Sequence, residues 1–289
     1  MTGSERVLFV HAHPDDETIS TGGTIATLVD RGAAVTVVTC TSGERGEVIP
    51  DELSALRGDP AAIAAERRSE LSRAMTILGV TDHRYLGEAN ARWAGLDARR
   101  YTDSGMRWGS RGAEAADDVA PDSLTAAEAG EVSADIAAVI QDVQPDVVVS
   151  YDEYGGYGHP DHVRAHHSAR VAAEVMGVPF FAIERPGTRG ATMVDVAPVL
   201  DRKRAALAEY RTQLTVEGDT FVTPSGDVES IDTVESFRRV RTGPAPFTEH
   251  SIPSRIAACL VALVIGALAG ATLTVVHQAA VLVADVPVP

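Results

Sequence analysis

Short apolar runs, separated by longer stretches with helical punctuation, constrain this chain more than any other feature. Val7–Val10, Ala33–Thr39 and Asp146–Ser150 are only a few residues long and almost wholly apolar, the signature of strands buried on both faces. Helices are expected between them. One is predicted over about Thr21–Arg31, ended by Gly32, and another from Pro60 to Leu78, with Gly79 past its end. Further helices are read at Leu124–Val143, Pro160–Met176 and Pro198–Arg211, and further strands at Asp82–Leu86, Phe180–Ile183 and Met193–Val196. Alternation of this kind predicts an α/β fold, a Rossmann-like and mostly parallel sheet with helices on both faces. Gly87–Pro121 breaks the pattern. It is long, irregular and carries both tryptophans, so it is read as a lid or an insertion.

Charge narrows the function. Lys and Arg number 25 against 41 Asp and Glu, a formal charge of −16, which excludes a nucleic-acid binder needing a basic face for phosphates. Cys40 and Cys259 stand far apart, and Cys40 ends an apolar run, the place of a buried strand thiol. Ile256–Ala284 holds no charged residue. As a helix rising about 1.5 Å per residue, its first 21 residues would span roughly 30 Å. Two readings fit it: a C-terminal core helix, or membrane contact. Arg238, Arg239, Arg241 and Arg255 precede it, which would place the large N-terminal part in the cytoplasm. Gly266 and Gly270 have the spacing that lets two such helices associate. The expected organisation is a catalytic domain over residues 1–219, a linker or packed extension over 220–254, and an apolar tail over 255–289.

Chemistry collects where the strands end. In open parallel sheets, ligands bind beyond the carboxyl ends of the strands, where strand order reverses. The first strand runs into His11-Ala12-His13-Pro14-Asp15-Asp16-Glu17, the second into Gly43-Glu44-Arg45-Gly46-Glu47, and Asp146–Ser150 into Tyr157-Gly158-His159-Pro160-Asp161-His162. Three adjacent carboxylates suit a helix N-terminus; beside a histidine they equally suit a divalent metal. His166, four residues beyond His162, lacks the glutamate of the usual two-histidine zinc helix. It is read, with His167, as a packing or surface residue.

Ala12-His13-Pro14-Asp15-Asp16-Glu17 together with Gly158-His159-Pro160-Asp161-His162 resembles the zinc-dependent N-acetylglucosaminyl deacetylase family (LmbE-like, PIG-L) over roughly residues 5 to 215. Gly43-Glu44-Arg45-Gly46-Glu47, Asp103-Ser104-Gly105-Met106 and the Gly155–His162 segment resemble its branch in mycothiol metabolism. The resemblance implies one zinc held by His13, Asp16 and His162, with a water in the open position. Asp15 would be the general base, and His159 a protonated electrostatic partner or general acid. Tyr157 would add a phenolic hydrogen bond to the oxyanion. Ser20, Glu47, Arg68 and Asp103 match positions that bind sugar and inositol hydroxyls, although Arg68 equally suits an exposed face of charged residues. The implied reaction is hydrolysis of the N-acetyl group of N-acetylglucosaminyl-inositol, a small amino-sugar inositol substrate.

Three alternatives stand beside that reading. A mycothiol S-conjugate amidase is its near relative: Thr18-Ile19-Ser20 and Glu47 favour the deacetylase, while Arg45 resembles the amidase. A membrane-tethered protein with a non-catalytic metal site is of another class. A phosphoesterase is disfavoured by the lack of a second set of metal ligands.

Overall fold

The computed structural model of the chain describes residues 5–110 and 112–240. β1 (Arg6–His11) leads through α1 (Asp16–Asp30) to β2 (Ala34–Thr39), and α2 (Pro60–Leu78) leads to β3 (Asp82–Tyr85). A hairpin of β4 (Met106–Gly109) and β5 (Gly112–Ala115) precedes α3 (Ala129–Val143) and β6 (Val147–Ser150). The single turn α4 (Gly155–Gly158), α5 (Pro160–Met176) and β7 (Phe180–Glu184) follow. Then come β8 (Thr192–Asp195), α6 (Leu200–Leu207), the short strands β9 (Thr215–Glu217), β10 (Thr220–Val222) and β11 (Val228–Ser230), and β12 (Val234–Val240).

The main sheet has the order β3-β2-β1-β6-β7-β12-β8. Its first five strands are parallel, and β12 runs antiparallel between β7 and β8. The expected mostly parallel sheet is present, with a core on each face. Alternation along β1 sends Leu8 and Val10 to one core, with Ile136 and Ile140 of α3 and Ala165 and Ala169 of α5. Phe9 goes to the other, with Ile25 of α1, Leu71 and Leu78 of α2 and Leu207 of α6. Burial of each such large side chain contributes about 1.5–3 kcal/mol.

Several boundaries differ from expectation for local reasons. α1 starts at Asp16 rather than Thr21, because the Asp15 carbonyl accepts from the N–H groups of Thr18 and Ile19 at 3.0 and 2.9 Å. The acids therefore form its first turn. α3 starts at Ala129 rather than Leu124. The Leu124 N–H bonds to the Thr102 carbonyl at 2.9 Å and the Thr125 N–H to Ser104 Oγ at 3.0 Å, which ties that stretch to the irregular segment. α6 is shorter than predicted, Leu200–Leu207. Thr220–Val240 supplies β10, β11 and β12, the last a strand of the main sheet. The expected apolar tail, with its membrane contact and self-association through Ile256–Ala284, lies outside the described residues. Among the described residues, no helix is long and apolar enough to cross a membrane.

The irregular segment is pinned rather than loose. Arg92 and the Tyr101 hydroxyl each reach Asp135 of α3 at 2.7 Å, and Arg99 reaches Glu131 at 3.0 Å. α1 is pinned from the opposite end of the chain. Glu235 on β12 accepts from the Gly23 and Thr24 N–H groups at 2.9 and 2.7 Å and pairs with Lys203 at 2.7 Å, both charges being buried. Glu235→Ala would leave a buried ammonium unpaired. It is expected to cost about 3–5 kcal/mol, read as a lower urea midpoint; an unchanged midpoint would contradict this role for the pair.

Candidate functional site

Strand order reverses between β1 and β6, which lie side by side with Phe9 opposite Val149. The loops leaving their carboxyl ends therefore meet at one edge of the sheet, the position at which such sheets bind ligands. β1 delivers His13, Asp15 and Asp16. β6 delivers Tyr151 and, after α4, His159 and His162. Pro160 starts α5 and His159 is its N-cap, so His162 sits in the first turn.

The hydrogen bonds assign the ring nitrogens. His162 Nδ1 lies 3.2 Å from the Gly155 carbonyl, which can only accept, so Nδ1 carries the proton and Nε2 is a lone pair. That Nε2 is buried without a hydrogen-bond partner and stands 3.3 Å from Asp16 Oδ2. His13 Nε2 lies 3.1 Å from Asp161 Oδ2, so it donates, and its Nδ1 lone pair faces the same Asp16 oxygen at 3.2 Å. Two bare imidazole lone pairs turned towards one carboxylate repel it unless a cation lies between them. The set of two nitrogens and one oxygen fits a zinc site with an open position, and Asp161 and the Gly155 carbonyl hold the rings as outer partners of such sites do. A proton competes with a cation for that place: against the effect of burial, Asp103, Asp16 and Asp161 hold the His13 imidazole well above its ordinary pKa, and a metal that binds Nδ1 displaces that proton. Likewise His162 and His13 hold the Asp16 carboxyl well below its own.

Ring nitrogens of His13, His159 and His162 also lie within 4.8 Å of one another. His159, however, uses Nδ1 to accept the Asp161 N–H at 3.1 Å, which leaves the proton on Nε2. Burial, with His13 and His162 nearby, pushes its pKa down to about 2. A neutral His159 with an Nε2–H is therefore a hydrogen-bond donor. The protonated imidazole expected from the family resemblance is disfavoured.

Asp15, the N-cap of α1, has φ 97°, a strained value for a residue with a side chain. Its Oδ2 accepts from Arg67 at 3.0 Å, and the same guanidinium reaches the Pro14 and Gly43 carbonyls at 2.6 and 2.5 Å. Burial raises the Asp15 carboxyl above the ordinary carboxylate range, with Arg67 pulling it back and Asp16 and Glu17 pushing it further. Asp103 is buried beside the cluster, 3.8 Å from His13 Nε2. Tyr157 is at the rim, its ring centroid 5.1 Å from that of His162.

The other sequence candidates lie apart from the cluster's hydrogen bonds. Ser20 is half-buried, one turn along α1 from Asp16. Glu47 is exposed, and its backbone carbonyl accepts from Gln213 at 2.9 Å. Arg68 pairs with Glu88 at 2.7 Å and lies over the Tyr85 ring. His166 is buried against Phe180, and Cys40 is a buried free thiol, as packing roles require.

Four residues of the site escaped the sequence. Tyr151 donates to Asp16 Oδ2 at 2.7 Å and stacks on His162 at 4.1 Å between centroids. Asp161 orients His13. Glu44, buried, has an Oε2 without a partner. Arg67 left one usable signal: it lies four residues from both Ile63 and Leu71 and so falls on the buried stripe of α2.

Comparison with known proteins finds similar chains. The family model described as GlcNAc-PI de-N-acetylase (PIG-L) matches residues 8–173. The 1D-myo-inositol 2-acetamido-2-deoxy-alpha-D-glucopyranoside deacetylase of Kineococcus radiotolerans is 51% identical over 187 residues, which is 64% of this chain and 47% of that protein. The match thus spans about half the length of that relative. The protein of the same name from Nocardiopsis dassonvillei is 37% identical over 287 residues, covering 84% of this chain and 96% of its own. Among solved structures, N,N'-diacetylchitobiose deacetylase from Pyrococcus horikoshii superposes with a TM-score of 0.57 at 22% identity, over 85% of this chain and 88% of that one. At that identity the likeness concerns the fold alone.

Arg67→Met would leave the Asp15 carboxylate and two buried carbonyls without their donor. A loss of about 3–5 kcal/mol in urea unfolding is expected, against a smaller loss, about 1 kcal/mol, for Arg68→Met, a half-buried neighbour whose pair with Glu88 is partly open to solvent.

Proposed function

The chain belongs to the GlcNAc-PI de-N-acetylase (PIG-L) family, and from that premise we propose that it is a zinc-dependent hydrolase. Its substrate is N-acetylglucosaminyl-inositol, and its products are glucosaminyl-inositol and acetate. The observation that carries this reading is the pair of imidazole lone pairs, His13 Nδ1 and His162 Nε2, turned onto Asp16 Oδ2 next to the strained Asp15. Two relatives named for removal of the acetyl group from an inositol-linked amino sugar support the choice of substrate.

His13, Asp16 and His162 would hold the zinc. Bound there, it supplies Lewis acidity, polarising the amide carbonyl and lowering the pKa of water towards about 7. The residues of the chain do the rest. Asp15 takes a proton from the attacking water on its carboxylate, while the water oxygen bonds to the acetyl carbon. Negative charge collects on the former carbonyl oxygen, where the neutral His159 donates its Nε2–H and Tyr157 adds its hydroxyl. The C–N bond then breaks, and the proton held by Asp15 passes to the leaving nitrogen. Asp103, with the backbone N–H groups of Gly105 and Arg45 fixed on its two oxygens, is the acid of the sugar-binding wall. Ser20, Glu47 and Arg68 would reach the substrate from outside the cluster.

Three measurements test this. Amine release from N-acetylglucosaminyl-inositol should be abolished by a chelator and restored by zinc; cleavage of a mycothiol S-conjugate alone would instead identify the amidase. Asp15→Ala should keep its zinc, read by metal content, and lose about 10²–10⁴-fold in rate. His159→Ala, which removes one oxyanion donor, should lower kcat about 10²–10³-fold. Undiminished turnover in either variant would defeat the role assigned to that residue.

A further inference from the structure

Two exposed aromatic rings meet at the rim of the histidine cluster. Trp108 on β4 is 59% exposed and Tyr157 of α4 is 44% exposed. Their ring centroids are 5.8 Å apart with planes inclined at 34°. The inner ring continues the surface: Tyr157 stands edge-on to His162 at 5.1 Å and to His159 at 6.1 Å. An aromatic wall thus runs outward from the histidines to the hairpin.

The hairpin is held against the site by backbone contact. A Cβ on Gly112 of β5 would lie 2.4 Å from the Tyr157 carbonyl oxygen, and one on Gly158 would lie 2.8 Å from the Ala113 carbonyl oxygen. Both glycines also have positive φ, 130° and 99°. Two chains that approach this closely fix where Trp108 stands relative to Tyr157. Arg107 and Glu114 pair across the hairpin at 2.9 Å and add to its register.

The proposed hydrolysis leaves Trp108 without a task. We propose that Trp108, with the outer part of Tyr157, is a stacking platform for the second ring of the substrate, the polyol ring joined to the N-acetyl sugar. The inference rests on the hydrolase reading above. An acetamide that reaches His13, Asp16 and His162 places its own sugar ring beside Tyr157, and the next ring falls one ring further out, beside Trp108. A saturated polyol ring has a face of C–H bonds suited to the negative face of an indole. The indole N–H also offers a donor to a ring hydroxyl.

The test compares kcat/KM for N-acetylglucosaminyl-inositol with that for N-acetylglucosamine, in the wild type, Trp108→Ala and Trp108→Phe. At an exposed position these changes leave the fold intact. The ratio of two-ring to one-ring kcat/KM should fall about five- to tenfold in Trp108→Ala, mainly through KM, and should largely recover in Trp108→Phe. An unchanged ratio overturns the platform, as does an equal loss on both substrates. A second readout does not depend on turnover: indole emission, taken as wild type minus Trp108→Phe, should be quenched by N-acetylglucosaminyl-inositol and not by N-acetylglucosamine. If the wild type hydrolyses neither sugar while Trp108 emission responds to the two-ring ligand, the platform stands and the hydrolase reading fails. If hydrolysis proceeds with the emission silent, the platform alone fails.

Discussion

Oδ2 of Asp16 accepts the His13 N–H and the Tyr151 hydroxyl while it faces the lone pairs of two imidazoles. Four groups from two distant parts of the chain converge on one oxygen. The Tyr151 hydroxyl also accepts the Ala12 N–H at 2.8 Å, and Ser150 Oγ donates to the Val10 carbonyl at 2.8 Å. The two halves of the site are therefore joined by hydrogen bonds as well as by the pairing of β1 with β6. A carboxylate so placed keeps its negative charge despite burial, and that charge favours a cation beside it.

The cost of that arrangement is distributed. Asp15 is held at a positive φ that the surrounding contacts must over-determine, and Arg67 supplies three of them. Asp103 hangs on a long irregular segment that would be mobile if it were held by solvent-exposed bonds alone. The Arg92, Tyr101 and Asp135 contacts tie it to α3, and Ser104 ties it to Asp161 through its backbone N–H at 2.9 Å. The same Asp161 carboxylate orients His13. One side chain thus couples the Asp103 segment to the His13 ring, which explains why an acid inside the first turn of α5 is completely buried.

How much of this was legible in the chain depends on the range of each cause. His13 and Asp16 lie in a polar motif directly after an apolar run and His162 in one that follows α4; the local pattern marks the motifs, while the choice of these three as ligands is what the family resemblance implies. Arg67 and Arg68 are neighbours of the same type, and only the helical phase of α2 separates the buried one from the one paired at the surface. Glu44 and Glu47 differ less still: nothing in Gly43-Glu44-Arg45-Gly46-Glu47 says which carboxylate turns inward. α1 starts five residues before the predicted Thr21 because three acids suit a helix N-terminus and a metal loop alike, and only the Asp15 carbonyl, which closes the first turn, decides between them. The sequence offers a linker or a packed extension for the stretch that holds β12, because an antiparallel strand inserted between β7 and β8 has no periodicity that distinguishes it from an exposed strand.

By itself the sequence determined that apolar runs alternating with helices make a mostly parallel sheet, and that histidines and acids leave the carboxyl ends of its strands. Those are consequences of local hydrophobic pattern, and they hold whatever the strands pack against. Which nitrogen of each histidine is bare was decided by the tertiary structure alone. The tautomer follows the partner of the other nitrogen, and for His13 that partner is Asp161, 148 positions away along the chain. The difference between His159, with its proton on Nε2, and His162, with its Nε2 bare, follows in the same way, from an N–H at the start of α5 and a carbonyl in α4 that only the folded chain brings to them.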